Sequence, residues 1–163
     1  MYIRKGTMAD LEAIAAVEAR CFPKAEAASL ADFKGRLSVY ANHFLLLEKD
    51  TQLIGFIDGP VTDESKLRDE MFNTPSFHKE DGAWQMVFGL NVLPEYRRRG
   101  FAAQLMEQLI AQAKAEGRTG VVLTCKEALR PYYAKFGFKE EGLSESEHGG
   151  AVWYDMRLQF DRK

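Results

Sequence analysis

Apolar and polar positions change period several times along the chain. The opening YIRKG alternates, which predicts a short strand. In TMADLEAIAAVEARCF the period lengthens. Leu11, Ile14, Ala15 and Val17 form one apolar face, and a helix is expected with Thr7 as N-cap and Asp10 completing a capping box. SLADFKGRLSVYA repeats the pattern, with Ser29 as cap and Leu30, Phe33, Leu37 and Tyr40 as the inward stripe. HFLLLEKDTQLIGFIDG holds two apolar runs parted by polar EKDTQ, a hairpin pattern. From Pro60 to Ala83 the pattern weakens. This polar stretch carries Pro75 and leaves room for one short helix near residues 65–72. A loop of this length inside a compact domain is usually functional or mobile.

AWQMVFGLNVLPEY reads as a central strand interrupted by Gly89, the mark of a bulge or a close backbone approach. A long amphipathic helix is expected from about Gly100 to Glu116, stopped by Gly117. TGVVLTC follows as a buried strand, and KEALRPYYAKFGF as a short helix ending at Gly137. The tail, FKEEGLSESEHGGAVWYDMRLQF, reads as two strands around a Gly-Gly turn. This order predicts an α/β fold in one domain over residues 1–163, a mixed sheet with helices on its faces. Ligands in such sheets favour the carboxyl end of a strand that leads into a helix.

Composition narrows the partners. With 46% hydrophobic and 28% charged residues the chain has a soluble, globular profile, and its net charge of −2 offers no general basic face for nucleic acid. No apolar run approaches the roughly 20 residues of a membrane span, and the amino terminus lacks a signal-peptide core. A cytoplasmic protein is expected, with neither nucleic acid nor membrane as partner. Cys21 and Cys125 are far apart and outside any CxxC pair, so buried reduced thiols are expected and no metal.

Against this background YRRRGFAAQL concentrates charge. Arg97, Arg98 and Arg99 stand directly before the long helix, whose first-turn N–H groups have no intrachain partner and carry the positive end of the macrodipole. Gly100 lets an anion approach the backbone, and Ala102 and Ala103 keep the next turn slim. The assembly suits a pyrophosphate. A merely solvated arginine cluster is the alternative. The strand VFGLNV runs straight into the cluster and places strand, loop and anion site in one crevice.

Two segments resemble signatures of the GNAT superfamily of N-acetyltransferases. LNVLPEYRRRGFAAQLM is similar to the acetyl-CoA motif Arg/Gln-x-x-Gly-x-Gly/Ala, here Arg97, Gly100 and Ala102. ALRPYYAKFGF is similar to the second signature, which ends in Tyr-x-x-x-Gly-Phe. They occur in the expected order, and the resemblance covers nearly the whole chain. It implies a mixed, mostly antiparallel sheet of six to seven strands, with helices on both faces and a central β-bulge. It also implies acetyl-CoA as cosubstrate. Backbone groups of Leu90, Asn91 and Val92 would pair with the pantetheine arm. Amides of Arg98, Arg99, Gly100, Phe101, Ala102 and Ala103 would hold the pyrophosphate. A bulge at Gly89 and Leu90 would aim an N–H at the thioester carbonyl.

Acetyl transfer to an amine needs a deprotonated nucleophile, donors for the oxyanion and a proton for the leaving thiolate. Tyr133 stands at the superfamily's acid position, with Tyr132 structural beside it; core packing is the alternative for both. Glu26 lies four residues after Phe22, which resembles the Phe-x-x-x-Glu arrangement of insect arylalkylamine acetyltransferases, where the glutamate is the base. An ordinary loop carboxylate is the alternative, and Glu18 is a second candidate on a helix face. LTCKEALRPYYAKFGF resembles the serotonin-type arylalkylamine subgroup, and His78 lies where that subgroup has a histidine. The two histidines of that subgroup's central strand are replaced here by Met86 and Phe88, so its proton relay does not carry over. Phe22, Met71, Phe72, Phe77, Trp84, Met86 and Phe88 would suit an aromatic amine if they gather at the site; core packing is the alternative. The resemblance thus implies transfer of acetyl to a small primary amine by direct attack in a ternary complex, by a monomer or homodimer. Acetylation of a protein amino terminus or lysine, or a catalytically silent acyl-CoA sensor, are the alternatives.

Overall fold

The structure is a computed structural model that describes residues 1–161. The first helical segment begins as the capping pattern predicts. The Thr7 amide and hydroxyl both donate to the Asp10 carboxylate, at 2.9 and 3.0 Å, ahead of helix α1 (Leu11–Cys21). Helix α2 (Leu30–Tyr40) opens on a second reciprocal box, Ser29 with Asp32. Strand β1 (Tyr2–Lys5) precedes both helices, and the hairpin of β2 (Phe44–Lys49) and β3 (Gln52–Asp58) follows them. The hairpin turns through Asp50 and Thr51, both at positive φ, the geometry that matches the twist of its strands.

Among the described residues nine strands form two sheets, one ordered β1-β2-β3-β6 and the other β4-β5-β7-β9-β8. The mixed, mostly antiparallel sheet with helices against it is therefore present, but its strands exceed the expected six to seven. Two causes account for the surplus. Val61–Thr62 adds a short strand, β4, and the expected central strand is two strands: β5 (Trp84–Val87) and β6 (Gly89–Val92). β5 pairs parallel to β7 (Gly120–Cys125), whereas β6 pairs antiparallel to β3. Phe88 alone separates them, and its amide donates to the Asp58 carbonyl at 2.7 Å. The expected bulge at Gly89 is thus a change of sheet. Strands β8 (Lys139–Leu143) and β9 (Tyr154–Gln159) complete the second sheet.

The core explains which stripe positions count. Strand β2 is buried at four successive residues, so both faces of its sheet are covered. On one face Phe33 of α2 meets Phe44 and Phe56 edge-on, at 6.2 and 5.8 Å between ring centres. Helix α3 (Phe101–Ala115) packs on β2, β3 and β6 and buries Leu105, Met106 and Leu109. Leu37 and Tyr40 are buried as expected, but Leu30, in the first turn of α2, is half-exposed. The 60–83 stretch forms two short 3-10 turns, Asp69–Asn73 and Pro75–Phe77, rather than one helix. Its end is fastened by Glu80, which accepts from Arg118 and Asn42, both at 3.2 Å, and meets ring nitrogens of His43 and His78 at 2.9 and 3.0 Å.

One polar group sits inside this core. Asp58, at the end of β3, is fully buried and lies 3.3 Å from the equally buried Arg36 guanidinium of α2. Burial pushes the Asp58 carboxyl up to about 7, against the pull of Arg36. Glu18 of α1, also buried, is pushed upward by the same cause. Two carboxyls thus face one guanidinium, and one of them stays protonated until near neutrality.

Replacing Phe56 by Ala should cost about 3–5 kcal/mol in denaturant unfolding, whereas Leu30→Ala should stay within about 0.5 kcal/mol. A carboxyl raised in the folded state holds a proton that the unfolded chain has released, so stability falls as pH climbs between the two values. The melting midpoint should therefore drop between about pH 4 and 7, and Asp58→Asn should flatten that slope. An unchanged slope would remove the buried carboxyl as its source.

Candidate active site

The loop before α3 builds an anion site from backbone geometry. A short 3-10 turn, Pro94–Tyr96, ends β6; then Arg98 and Gly100 both take left-handed φ, at 64° and 80°. Alternation of this kind turns successive amides toward one concavity. A Cβ on Gly100 would meet nothing within 4 Å, so the residue is needed for its φ and leaves the approach open. The first bond inside α3 runs from the Gln104 amide to the Gly100 carbonyl at 3.1 Å, so the amides of Phe101, Ala102 and Ala103 have no carbonyl within the helix. Their dipoles favour a diphosphate. Arg98 and Arg99 are exposed beside it. Arg97 plays a different part: its Nε donates to the Val92 carbonyl at 3.0 Å and ties the loop to β6.

β6 is bonded to β3 along one edge and, among the described residues, has no strand along the other. The unpaired edge at Leu90 and Asn91 is open to an extended ligand, which would add main-chain hydrogen bonds as a strand does. The Val92 carbonyl accepts from Arg97.

Tyr133 lies in the short helix α4 (Arg130–Ala134), nearly buried and edge-on to Tyr132 and Phe138 at 5.2 and 6.1 Å. Burial raises its phenol well above the usual tyrosine range, so it is fully protonated at neutral pH. Cys125, at the end of β7, is buried and its thiol is pushed up to about 11, which makes it inert.

A cleft, partly open to solvent, lies where α1, α2 and the 60–83 segment meet the splayed strands. Phe22, Phe72, Phe88, His148 and Trp153 form its apolar wall, with Glu18, Glu26, Asp32 and Arg36 among them. Phe72 stacks on His148 at 4.7 Å and on Phe88 at 4.6 Å. The Arg36 guanidinium lies over the Phe33 and Phe88 rings at 5.1 and 5.0 Å. Tyr133 is not part of this wall.

Of the residues expected to gather here, Phe22, Phe72 and Phe88 do so. Met71, Trp84 and Met86 instead pack with Leu67 and Val122 in a separate small core, with Phe77 against it. His78 is likewise outside the cleft. Its Nδ1 accepts from the Val61 amide at 2.9 Å and its Nε2 faces Glu80, so it stabilises the loop. Glu26 reaches the cleft, but its carboxylate is held by Lys126 at 2.8 Å. Glu18 is the more buried carboxyl, with Oε2 accepting from the Ala28 amide at 2.9 Å.

Asp58, Arg36, His148 and Trp153 escaped the sequence reading. Arg36 carried a signal, since it falls on the inward face of α2, three residues after Phe33. His148 carried none: its ring donates to the Glu26 carbonyl at 2.8 Å across 122 residues of chain. No described helix is long and apolar enough to cross a membrane.

Comparison with known proteins agrees with this geometry. The chain is 31% identical over 96 residues to a probable glucosamine 6-phosphate N-acetyltransferase 2 of Oryza sativa subsp. japonica, a match spanning 58% of each protein. Its fold is similar to that of the loading GNATL domain of CurA from Lyngbya majuscula, with a TM-score of 0.83, 16% identity and coverage of 97% of this chain and 96% of that one. It is also similar to the GphF GNAT-like decarboxylase in complex with isobutyryl-CoA, with a TM-score of 0.81, 20% identity and coverage of 98% and 99%. The acetyltransferase (GNAT) family model matches residues 11–138, a span that runs from α1 through both the anion-binding loop and the Tyr133 helix, and the chain belongs to that family.

Proposed function

We propose that this protein transfers the acetyl group of acetyl-CoA to a small arylalkylamine by direct attack within a ternary complex. The observation that carries the reading is the makeup of the cleft: aromatic walls with the carboxyl groups of Glu18 and Asp32 among them, Glu26 being held by Lys126. Its guanidinium, Arg36, is already committed to Asp58. Such a site favours a cation with a flat apolar body. The sugar phosphate named for the rice relative needs a free cation for its phosphate, and the cleft wall offers none. A protein substrate is disfavoured too. Phe72 and Asn73 of the 60–83 segment wall the cleft, and Asp69 of the same segment accepts from the Glu147 amide at 2.9 Å.

Acetyl-CoA would lie with its diphosphate on the amides of Arg98 to Ala103 and its pantetheine arm along the free edge of Leu90 and Asn91. Arg97 supports this site through Val92 rather than by touching the diphosphate. Holding acyl donor and amine together supplies much of the acceleration. The Tyr133 phenol gives its proton to the departing sulfur and regains one from solvent. The amine's positive charge is met first by the cleft carboxyls.

A thiol-release assay with acetyl-CoA across arylalkylamines, aliphatic amines, polyamines, glucosamine 6-phosphate and short peptides tests the substrate class. Arylalkylamines should give the highest kcat/KM; turnover confined to peptides or to the sugar phosphate would overturn the assignment. Tyr133→Phe should lower kcat about 100-fold or more while acetyl-CoA binding by calorimetry stays within about twofold. Unchanged kcat would remove Tyr133 as the acid, and acetyl-CoA binding without turnover of any amine would point to a sensor.

A further inference from the structure

The end of β7 carries a lysine to the acceptor cleft. β5 and β7 are paired in register as far as Val87 and Leu123, and beyond Leu123 the edge of β7 that β5 covered is free among the described residues. Continued along the chain, that register would set Leu90 opposite Lys126. The gap between the parted strands therefore has the open edge of Leu90 and Asn91 on one side and Thr124 to Lys126 on the other. Side chains alternate along an extended strand, and Lys126 keeps extended backbone, at φ −72° and ψ 156°. Thr124 lines the cleft, Cys125 packs with Tyr133 in the main core, and Lys126 returns to the cleft side. Its Nζ lies 2.8 Å from Glu26 Oε2 and 5.8 Å from the centre of the Trp153 ring, and both of those residues wall the cleft. A carboxylate and an aromatic face are what the cleft offers an amine, so the chain holds one of its own amines in the acceptor's surroundings. The Lys126 side chain is 44% exposed, which leaves the nitrogen open to water.

We infer that Lys126 is an acceptor within the same molecule: when no amine fills the cleft, acetyl-CoA acetylates its Nζ. The inference rests on the N-acetylation reading above. The Nζ ammonium loses one proton to solvent, and the freed lone pair attacks the thioester carbonyl. The N–C bond forms and the C–S bond breaks. The departing sulfur takes a proton from Tyr133. The second nitrogen proton leaves to solvent, and solvent restores the Tyr133 phenol. Of the two protons lost by nitrogen, one is thus balanced at sulfur and one remains in solvent. Acceptor and donor site belong to one chain, so no second protein molecule has to be captured and oriented. The product is a neutral amide, and the ion pair with Glu26 ends with the reaction.

The test incubates the whole protein with acetyl-CoA and no amine, and follows acetylated peptides by mass spectrometry. Lys126 should be modified at least about 10-fold faster than the exposed Lys34 and Lys135, and urea-unfolded protein should lose that preference. The half-time should not change with protein concentration, because the acceptor travels with the site. Saturation with the best amine of the survey should suppress the modification, since both compete for one cleft. Lys126→Arg, which keeps the charge, should abolish the single fast acetylation, and Tyr133→Phe should slow it about as much as it slows amine turnover. Self-acetylation is overturned if Lys126 stays unmodified, if it reacts no faster than Lys34 and Lys135, or if its rate rises with protein concentration. Turnover of amines by a protein whose Lys126 stays bare overturns it and leaves the N-acetylation reading standing. A modified Lys126 without turnover of any added amine supports it and removes the arylalkylamine assignment.

Discussion

The parting of one chain segment between two sheets is the constraint on which the rest of this structure depends. Residues Trp84–Val87 are bonded parallel to β7, and Gly89–Val92 antiparallel to β3. A strand cannot satisfy both ladders once its neighbours diverge, so it must leave one of them, and it does so at Phe88. The Phe88 amide is not lost in the change, because it donates to the Asp58 carbonyl. Three consequences follow from this single step. The outer edge of β6 is freed for an extended ligand, the Phe88 ring is placed on the acceptor cleft, and the backbone at Gly89 lies against the only buried acid–base cluster at the cleft floor among the described residues.

The charges around the step are balanced with little margin. A guanidinium in an apolar interior costs several kcal/mol unless it is paired and hydrogen-bonded. Arg36 has Asp58 at 3.3 Å and the Phe72 carbonyl at 3.3 Å, with aromatic faces of Phe33 and Phe88 on either side. This one side chain therefore links α2, β3 and the 60–83 segment at the cleft floor. Burial of the Asp58 carboxyl, with the neighbouring Glu18 adding to it, is why that group titrates near 7 instead of near 4. The far end of the same segment is held by Glu80, whose own carboxyl burial would push up, but which hydrogen bonds from His43, Asn42 and His78 draw down to about 2. The 60–83 stretch is thus tied at Phe72 by a hydrogen bond from Arg36 and near its far end by the partners of Glu80.

Much of the architecture was legible because it depends on neighbours a few residues apart. Capping boxes at Thr7 and Ser29, the apolar stripes of α1 and α3, and the glycines that end helices at 117 and 137 follow from local backbone preference and helical spacing. The start of α3 at Gly100 was equally legible, since the loop and the first helical turn are one continuous stretch of chain. The cleft was less so. Phe22, Phe72 and Phe88 could be picked as aromatic, but nothing local separated them from Met71, Trp84 and Met86, which fill a second core instead.

The sequence by itself determined where α1, α2 and α3 begin and where α3 ends, because those features are decided within one or two turns of chain. Only the tertiary structure decided that Glu18, Arg36, Asp58 and Asn91 meet beside Gly89, and that His148 reaches the carbonyl of Glu26. The electrostatic state of a buried group depends on which charges lie within a few ångströms, and here those charges arrive from elements dozens of residues apart. A polar residue on an apolar stripe announces a partner; which partner it meets, and therefore which proton it holds, is settled by packing alone.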